Sequence, residues 1–269
     1  MSEPSERKTQ SSEFVQSLER GLAVICAFNA ENSELTLSEV ARATSLTRAA
    51  ARRFLHTLVE LGYVRTDGRL FALRPRVLEL GYAYLSSLTL PEVAEPHLEH
   101  LALTVRESSS VSVLDRDEVV YVARVPTKRI MRVAISVGTR FPAYATSMGR
   151  VLLAAQSDEW IEDYLATVNL LPLTRYTVTK PARLHAELVR VRERGWALVD
   201  QELEEGLRAI AAPIRDGTGE VVAAVNVSSH ASRSSLAAMR DELLPQLLKT
   251  AALIEDDLSG GTQRRAAVR

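Results

Sequence analysis

The chain has 269 residues, is 46% hydrophobic and 25% charged, and carries a net charge of −1. That balance is the one of a folded protein with one large or two modest domains, and it excludes a disordered or fibrous chain. A single cysteine, Cys26, excludes an intrachain disulfide and fits a reducing compartment. No apolar run nears the roughly 18 residues of a membrane span, and the polar first residues lack the apolar core of a secretory signal. A cytoplasmic protein with no membrane partner is expected.

The small net charge hides a segregation. Between Arg42 and Arg76 lie Arg42, Arg48, Arg52, Arg53, Arg65, Arg69, Arg74 and Arg76 against only Glu60 and Asp67, a local +6 on a chain of −1. Charge alone leaves two readings open, a DNA-binding footprint or a solvated arginine-rich face.

Residues 1–13 read as a disordered tail, too polar to bury a core. Phe14, Leu18, Leu22, Ile25 and Phe28 recur at helical spacing and predict a first helix with one apolar stripe; Cys26 on it reads as packing. Thr36-Leu37-Ser38-Glu39 is a capping box and opens a short second helix that stops near Thr44. After the Ser45-Leu46 turn, a third helix is predicted from Thr47 to Leu61, with Gly62 as its stop. At 100° per residue Ala51, Phe54, Leu55, Leu58 and Leu61 share one face; Ala49, Arg52 and His56 share the opposite one, flanked by Arg48 and Arg53. Two short strands, Tyr63–Thr66 and Arg69–Leu73, flank Asp67-Gly68, a hairpin signal. Helix, short helix, turn, cationic helix and arginine-bearing hairpin together predict a winged helix-turn-helix over 14–74 that binds a double-stranded DNA operator.

Pro75 suits a helix start, and Leu78, Gly81, Tyr82 and Leu85 give a helix reaching Leu88 an apolar stripe. It is either a core helix or, as preferred, a linker helix over 75–89 that pairs with a second copy, since half-sites are commonly read by dimers. From 90 to 258 the predicted order is a helix (Glu92–Val105), strands at Ser110–Leu114, Val119–Val125 and Met131–Val137, and helices at Ser147–Ala155, Asp158–Thr167 and Pro181–Arg194. Strands at Trp196–Val199, Leu207–Pro213 and Val221–Val227 follow, then a long helix from Ser234 to Leu258. Hairpin-linked strands with helices at intervals predict an α+β domain with a mostly antiparallel sheet. The tail 259–269 is polar and basic and is expected to be disordered.

Three segments carry a resemblance. Ser17-Leu18-Glu19-Arg20-Gly21-Leu22, Leu58-Val59-Glu60-Leu61-Gly62-Tyr63-Val64 and the run from Pro142 to Ala154 (PAYATSMGRVLLA) are similar to the IclR family of bacterial regulators. The run from Leu46 to Leu55 (LTRAAARRFL) and Val225-Asn226-Val227-Ser228-Ser229-His230 resemble its PcaR/PcaU/PobR-like subgroup, which controls aromatic-acid breakdown through the β-ketoadipate pathway. The resemblance spans roughly Phe14 to Leu258. It implies a GAF-like effector domain, a homodimer or dimer of dimers, and a small carboxylic acid as effector; no cofactor is expected.

On the residues themselves, the third helix enters the major groove with Thr47, Arg48, Ala49, Arg52 and Arg53 near the base edges. Arg65 and Arg69 on the wing suit a phosphate or the minor groove. Arg20 has two readings, a phosphate contact or a surface pair with Glu19 or Glu13. The amides after Ser147 form an anion site at a helix start. The resemblance implies ligand contacts at Ser147, Met148, Gly149, Val199, Ala209, Asn226 and Ser228; Val199 and Ala209 stand where members that bind short keto acids carry polar groups, which implies a roomier site. Asp200, Glu202, Arg208 and His230 could complete polar recognition, or be ordinary surface groups.

An enzyme is not expected. There is no phosphate-cradling glycine loop or dinucleotide fingerprint, and His97 and His100 lack the further ligands of a metal site. Ser147 lacks a nucleophile-elbow setting. A constitutive architectural DNA-binding protein is the other alternative. The expected switch is differential binding: the acid favours one arrangement of effector domains, and the linker helix passes it to half-site spacing.

Overall fold

A computed structural model describes residues 14–29, 31–80, 90–127 and 135–266, with 260–266 described by backbone alone. The chain divides into two compact units, 1–84 and 85–269. The tail 1–13 and most of the expected linker helix (81–89) lie outside the described residues; the helix start at Pro75 is a 3-10 turn, Pro75–Val77.

The first unit is built from α1 (Gln16–Cys26), β1 (Glu34–Thr36), α2 (Leu37–Ala43), α3 (Arg48–Glu60), β2 (Val64–Thr66) and β3 (Leu70–Leu73). The capping box forms as read: Glu39 N donates to Thr36 Oγ1 at 3.4 Å and Thr36 N to Glu39 Oε2 at 2.8 Å. The bonds from Thr36 N and from Thr36 Oγ1, the latter at 2.7 Å, hold the Glu39 carboxyl below its usual range. Ser45, at φ 53°, makes the turn into α3, and Gly62, at φ 80°, makes the exit from it. Val24, Val40, Ala51, Leu55, Leu58, Val64 and Phe71 close the core.

Two expectations change here. Phe28 is buried, but Phe14, Leu18 and Leu22 of the expected stripe are exposed, and the fully buried residue of α1 is Val24. The helix is apolar on two faces, and periodicity alone did not choose between them. Leu61, assigned to the core face of α3, is 51% exposed because the helix is already ending there. The sheet also gains β1, too short to show a period of two, in the antiparallel order β1-β3-β2.

The second unit is an antiparallel six-stranded sheet in the order β6-β5-β4-β9-β8-β7. Its strands are β4 (Ser108–Asp115), β5 (Glu118–Val125), β6 (Arg140–Pro142), β7 (Ala197–Asp200), β8 (Leu207–Arg215) and β9 (Val221–His230). Its helices are α4 (Leu90–Val105), α5 (Ser147–Ala154), α6 (Asp158–Thr167), α7 (Pro181–Arg194) and α8 (Leu244–Ala266). The pleat sends alternate side chains to opposite faces. Val111, Val225, Val227, Ile210 and Ile214 pack with Leu98 and Leu101 of α4 and Leu247 and Ile254 of α8. Val119, Tyr121, Ala197, Ala211 and Ala224 face the other way, in the cluster with Met148, Leu152, Leu184 and Leu188 from α5 and α7.

Of the expected strand Met131–Val137, residues 131–134 lie outside the described residues, and 135–137 lead into the Gly138 turn without pairing as a strand. Strand pairing resumes instead at β6, against β5. The last helix passes through a π turn, Met239–Leu243, and runs on to Ala266, into the stretch read as a tail.

Candidate DNA interface and effector cavity

Thr47 caps α3: its Oγ1 accepts from Ala50 N at 3.2 Å, and the hydroxyl proton remains available to an outside acceptor. Arg48, Ala49, Arg52, Arg53 and His56 are exposed, while Ala51, Leu55 and Leu58 are buried behind them. Among the described residues Arg20, Arg48, Arg52 and Arg53 form no ion pair. Arg48, Arg52 and His56 line one wall of an open trough of about 460 Å³; Thr66, Gly68, Arg69 and Phe71 from the wing and Thr36–Ser38 from the start of α2 line the others. The wing tip is fixed by Asp67, whose Oδ1 accepts from Arg69 N at 2.8 Å and Leu70 N at 2.7 Å, with Gly68 at φ 97°.

Not every arginine of the basic segment points outward to a partner. Arg65 Nη2 bonds Glu34 Oε1 at 2.8 Å. Glu34 and Arg65 sit opposite Ala72 from its two sides, so the arginine reaches across β3 to the unforeseen β1. Its wing role therefore requires displacement from an acid. Arg76 donates to Leu61 O at 2.8 Å and lies 5.1 Å from the Tyr63 ring centre, closing the end of α3.

In the second unit a narrow cavity lies between the start of α5 and the sheet. Ser147, Val199, Ala209, Asn226 and Ser228 line it together with Tyr121, Ile135, Ala145, Thr146, Leu203 and Leu207. Ser147 Oγ and Asn226 Oδ1 are buried without a hydrogen-bond partner. Burial pushes the Tyr121 phenol up to about 12, so it stays neutral. The cavity is tight, about 20 Å³, the scale of one water, whereas an engineered cavity of roughly 150 Å³ takes a benzene ring. A ring-bearing ligand enters only if the apolar walls at Ile135, Leu203 and Leu207 yield.

Six of the expected contacts, Met148, Gly149, Asp200, Glu202, Arg208 and His230, lie outside this lining. Met148 points at Ser112, whose Oγ lies 3.3 Å from its sulfur. A Cβ on Gly149 would stand 2.1 Å from Ala143 O, so this glycine lets α5 rest on the preceding turn. Arg208 is bound to Asp200 at 2.5 Å and to the carbonyls of Ala231 and Ser234. His230 is exposed and bonds Ser232, away from the cavity. Glu202 is buried against Arg150. Sequence reasoning missed Tyr121, Leu203 and Leu207. It also missed Ser110 and Arg124, which carry buried, unpartnered polar atoms; alternating serines at 108, 110 and 112 were the available signal.

A wider groove of about 720 Å³ lies beside α7 and the β8–β9 turn. Its arginines are already engaged, Arg192 with Asp158, Ala154 O and Gln156 O, and Arg215 with Gly219 O. It lacks the unmatched polar atoms of the narrow cavity.

Residues 17–68 match the IclR helix-turn-helix domain, and residues 82–256 match the bacterial transcriptional regulator IclR C-terminal domain. The chain is 46% identical over 237 residues to a Pca regulon regulatory protein of Pseudomonas putida, covering 88% of this chain and 81% of that one. It is 38% identical over 256 residues to a p-hydroxybenzoate hydroxylase transcriptional activator of Acinetobacter baylyi, covering 92% and 93%. An IclR homologue from Microbacterium hydrocarbonoxydans, solved as a complex with 4-hydroxybenzoate, superposes with a TM-score of 0.80 at 28% identity, covering 90% and 98%. The cationic α3 and its wing match the family's DNA-binding domain and the sheet unit its C-terminal domain: this chain is a member of the IclR family of bacterial transcriptional regulators.

Proposed function

We propose that this chain is a ligand-responsive DNA-binding regulator of aromatic-acid catabolism, acting in the cytoplasm by binding rather than by turnover. The acid occupies the cavity beneath α5, and α3 and the wing hold an operator. The observation that carries the effector reading is the pair of buried, unmatched polar atoms, Ser147 Oγ and Asn226 Oδ1, in one cavity otherwise walled by apolar side chains. Such atoms destabilise an interior unless something meets them. The relatives named for p-hydroxybenzoate hydroxylase and solved with 4-hydroxybenzoate support an aromatic acid as the ligand.

Thr47, Arg48, Ala49, Arg52, Arg53 and Arg69 form the DNA face in this reading, with Arg20 as a phosphate contact. The exposed Phe14, Leu18 and Leu22 of α1 favour a homodimer that buries them. The test is a thermal-shift screen of protocatechuate, 4-hydroxybenzoate and β-ketoadipate, followed by gel shift on the operator with and without the hit. A ligand present at about 100 times its dissociation constant adds roughly 2.7 kcal/mol to native-state stability. An acid that raises Tm and changes operator affinity is the expected result. A protein that no acid stabilises, and whose DNA binding no acid alters, is not such a sensor.

A further inference from the structure

We propose that Arg124 anchors the carboxylate of the acid this chain senses, with the Ser110 hydroxyl and the Asn226 carboxamide beside it; this rests on the effector reading above. Asn226 of β9 pairs with Ser110 of β4, and Ser110 pairs with Arg124 of β5, so the three stand in one row across neighbouring strands. Ser110 and Asn226 are 0% and 3% exposed. Ser110 Oγ, Asn226 Oδ1 and two guanidinium nitrogens of Arg124, Nε and Nη1, are all buried with no hydrogen-bond partner. Ser147 Oγ, across the cavity from the sheet, is in the same condition.

Native interiors leave few such atoms, and a guanidinium among them is the most costly. Their concentration along one row points to a missing common partner. A guanidinium is donor-only and a carboxylate acceptor-only, so the two match, and the bond is charge-assisted. The hydroxyl of Ser110 can add a donor, whereas Asn226 Oδ1 is an acceptor and is met by a donor such as a ligand hydroxyl.

Neither Arg124 nor Ser110 lines the cavity itself; their row meets it at Asn226. Strands lie about 4.8 Å apart, so Arg124 is one strand from Ser110 and two from Asn226, which lines the cavity. Tyr121, a cavity wall on the same strand, is within electrostatic range of Arg124. The other arginines near the cavity are already neutralised: Arg150 by Glu202 at 2.6 Å, Arg208 by Asp200. Among the described residues, Arg124 is the arginine here whose donors remain unmatched.

The test compares full-length wild type with Arg124→Met and Arg124→Lys. Calorimetric titrations use 4-hydroxybenzoate, its uncharged amide and the dicarboxylate β-ketoadipate. Wild type is expected to prefer a carboxylate to the amide by about 10- to 100-fold, the scale of a hydrogen bond to a charged group. Arg124→Met should erase that preference, and Arg124→Lys should keep part of it. Which carboxylate shows the loss, the benzoate or the dicarboxylate, identifies the source. Without ligand, Arg124→Met should melt no lower than wild type, because two buried, unmatched donors of this half-buried side chain have gone; an arginine with only a structural role would lower Tm. If Arg124→Met keeps wild-type affinity and the same acid-to-amide ratio, the assignment is overturned while the effector reading stands. If wild type binds none of the acids, both are overturned.

Discussion

Arg150 and Glu202 meet at 2.6 Å, with side chains only 3% and 10% exposed. Arg150 Nε also donates to Tyr144 O, and Glu202 accepts from Val178 N at 3.0 Å. The pair therefore ties α5 to the segment carrying Leu203, a wall of the cavity. Removing one partner of a buried pair typically destabilises by about 3–5 kcal/mol, whereas replacing both by apolar groups is often neutral. Glu202→Leu is expected to lower Tm sharply and Arg150→Met/Glu202→Leu to recover most of it, read by thermal denaturation of the full chain. Equal Tm values for the single and double variants would show that the pair does not act as a unit.

The DNA face is graded by what each arginine already touches. Arg52→Ala should weaken operator binding by about 1–3 kcal/mol if the residue reads a base. If it meets a phosphate instead, the loss should be similar on all sequences and the salt slope should fall by about 0.9. Arg65→Ala should change affinity less than Arg52→Ala, since Arg65 begins in a pair with Glu34. Gel shifts at three salt concentrations separate these outcomes.

Gly149→Ala places a methyl 2.1 Å from the Ala143 carbonyl oxygen, a backbone atom that cannot swing aside. Overpacking of this kind costs about 1–3 kcal/mol, occasionally more. A marked fall in Tm is expected, and a variant as stable as wild type would mean that the turn and α5 separate easily.

Ala209→Leu fills the cavity from β8 without touching α3 or the wing. Acid binding should fall at least about tenfold (roughly 1.4 kcal/mol) by calorimetry, with operator affinity in the absence of acid kept at the wild-type level. Undiminished acid binding would place the ligand elsewhere.

The wing carries a pH dependence. Hydrogen bonds from the Leu70 and Arg69 amides hold the Asp67 carboxyl below its ordinary value of 3.8. The anion's stabilisation is complete above that ordinary value and is lost as pH falls through the lower folded value. Protection of the Arg69 and Leu70 amides, taken relative to their intrinsic exchange rate at each pH, should therefore hold down to about pH 4 and fall below it. In Asp67→Ala that protection should be low throughout.

Much of the first unit was legible because its signals are local. The Thr36–Glu39 box, the Asp67-Gly68 turn and the Gly62 stop are set by hydrogen bonds within a few residues, and the Ala51–Leu55–Leu58 face follows from helical periodicity. Legibility failed where a residue's partner is distant in sequence. Glu34 and Arg65 meet only because a three-residue strand pairs with β3. Arg208 stood open between ligand recognition and an ordinary surface role, and the β7–β8 register pairs it with Asp200. The cavity divided the same way. Ser147, Val199, Ala209, Asn226 and Ser228 were named from resemblance and come together. Arg124 was overlooked because a bulge in the β4–β5 pairing places it beside Ser110, and no count along one strand shows that.

The strand β4 separates two kinds of evolutionary freedom. Its odd members Val111 and Val113 are committed to the layer formed with α4 and α8, while Ser108, Ser110 and Ser112 turn to the opposite side. On the proposed anchoring role of Arg124, exchanging Ser110 alters the polar row beside it and leaves the supporting layer intact. A lineage could thus drift from one effector to another through single replacements of small side chains, with its scaffold unchanged.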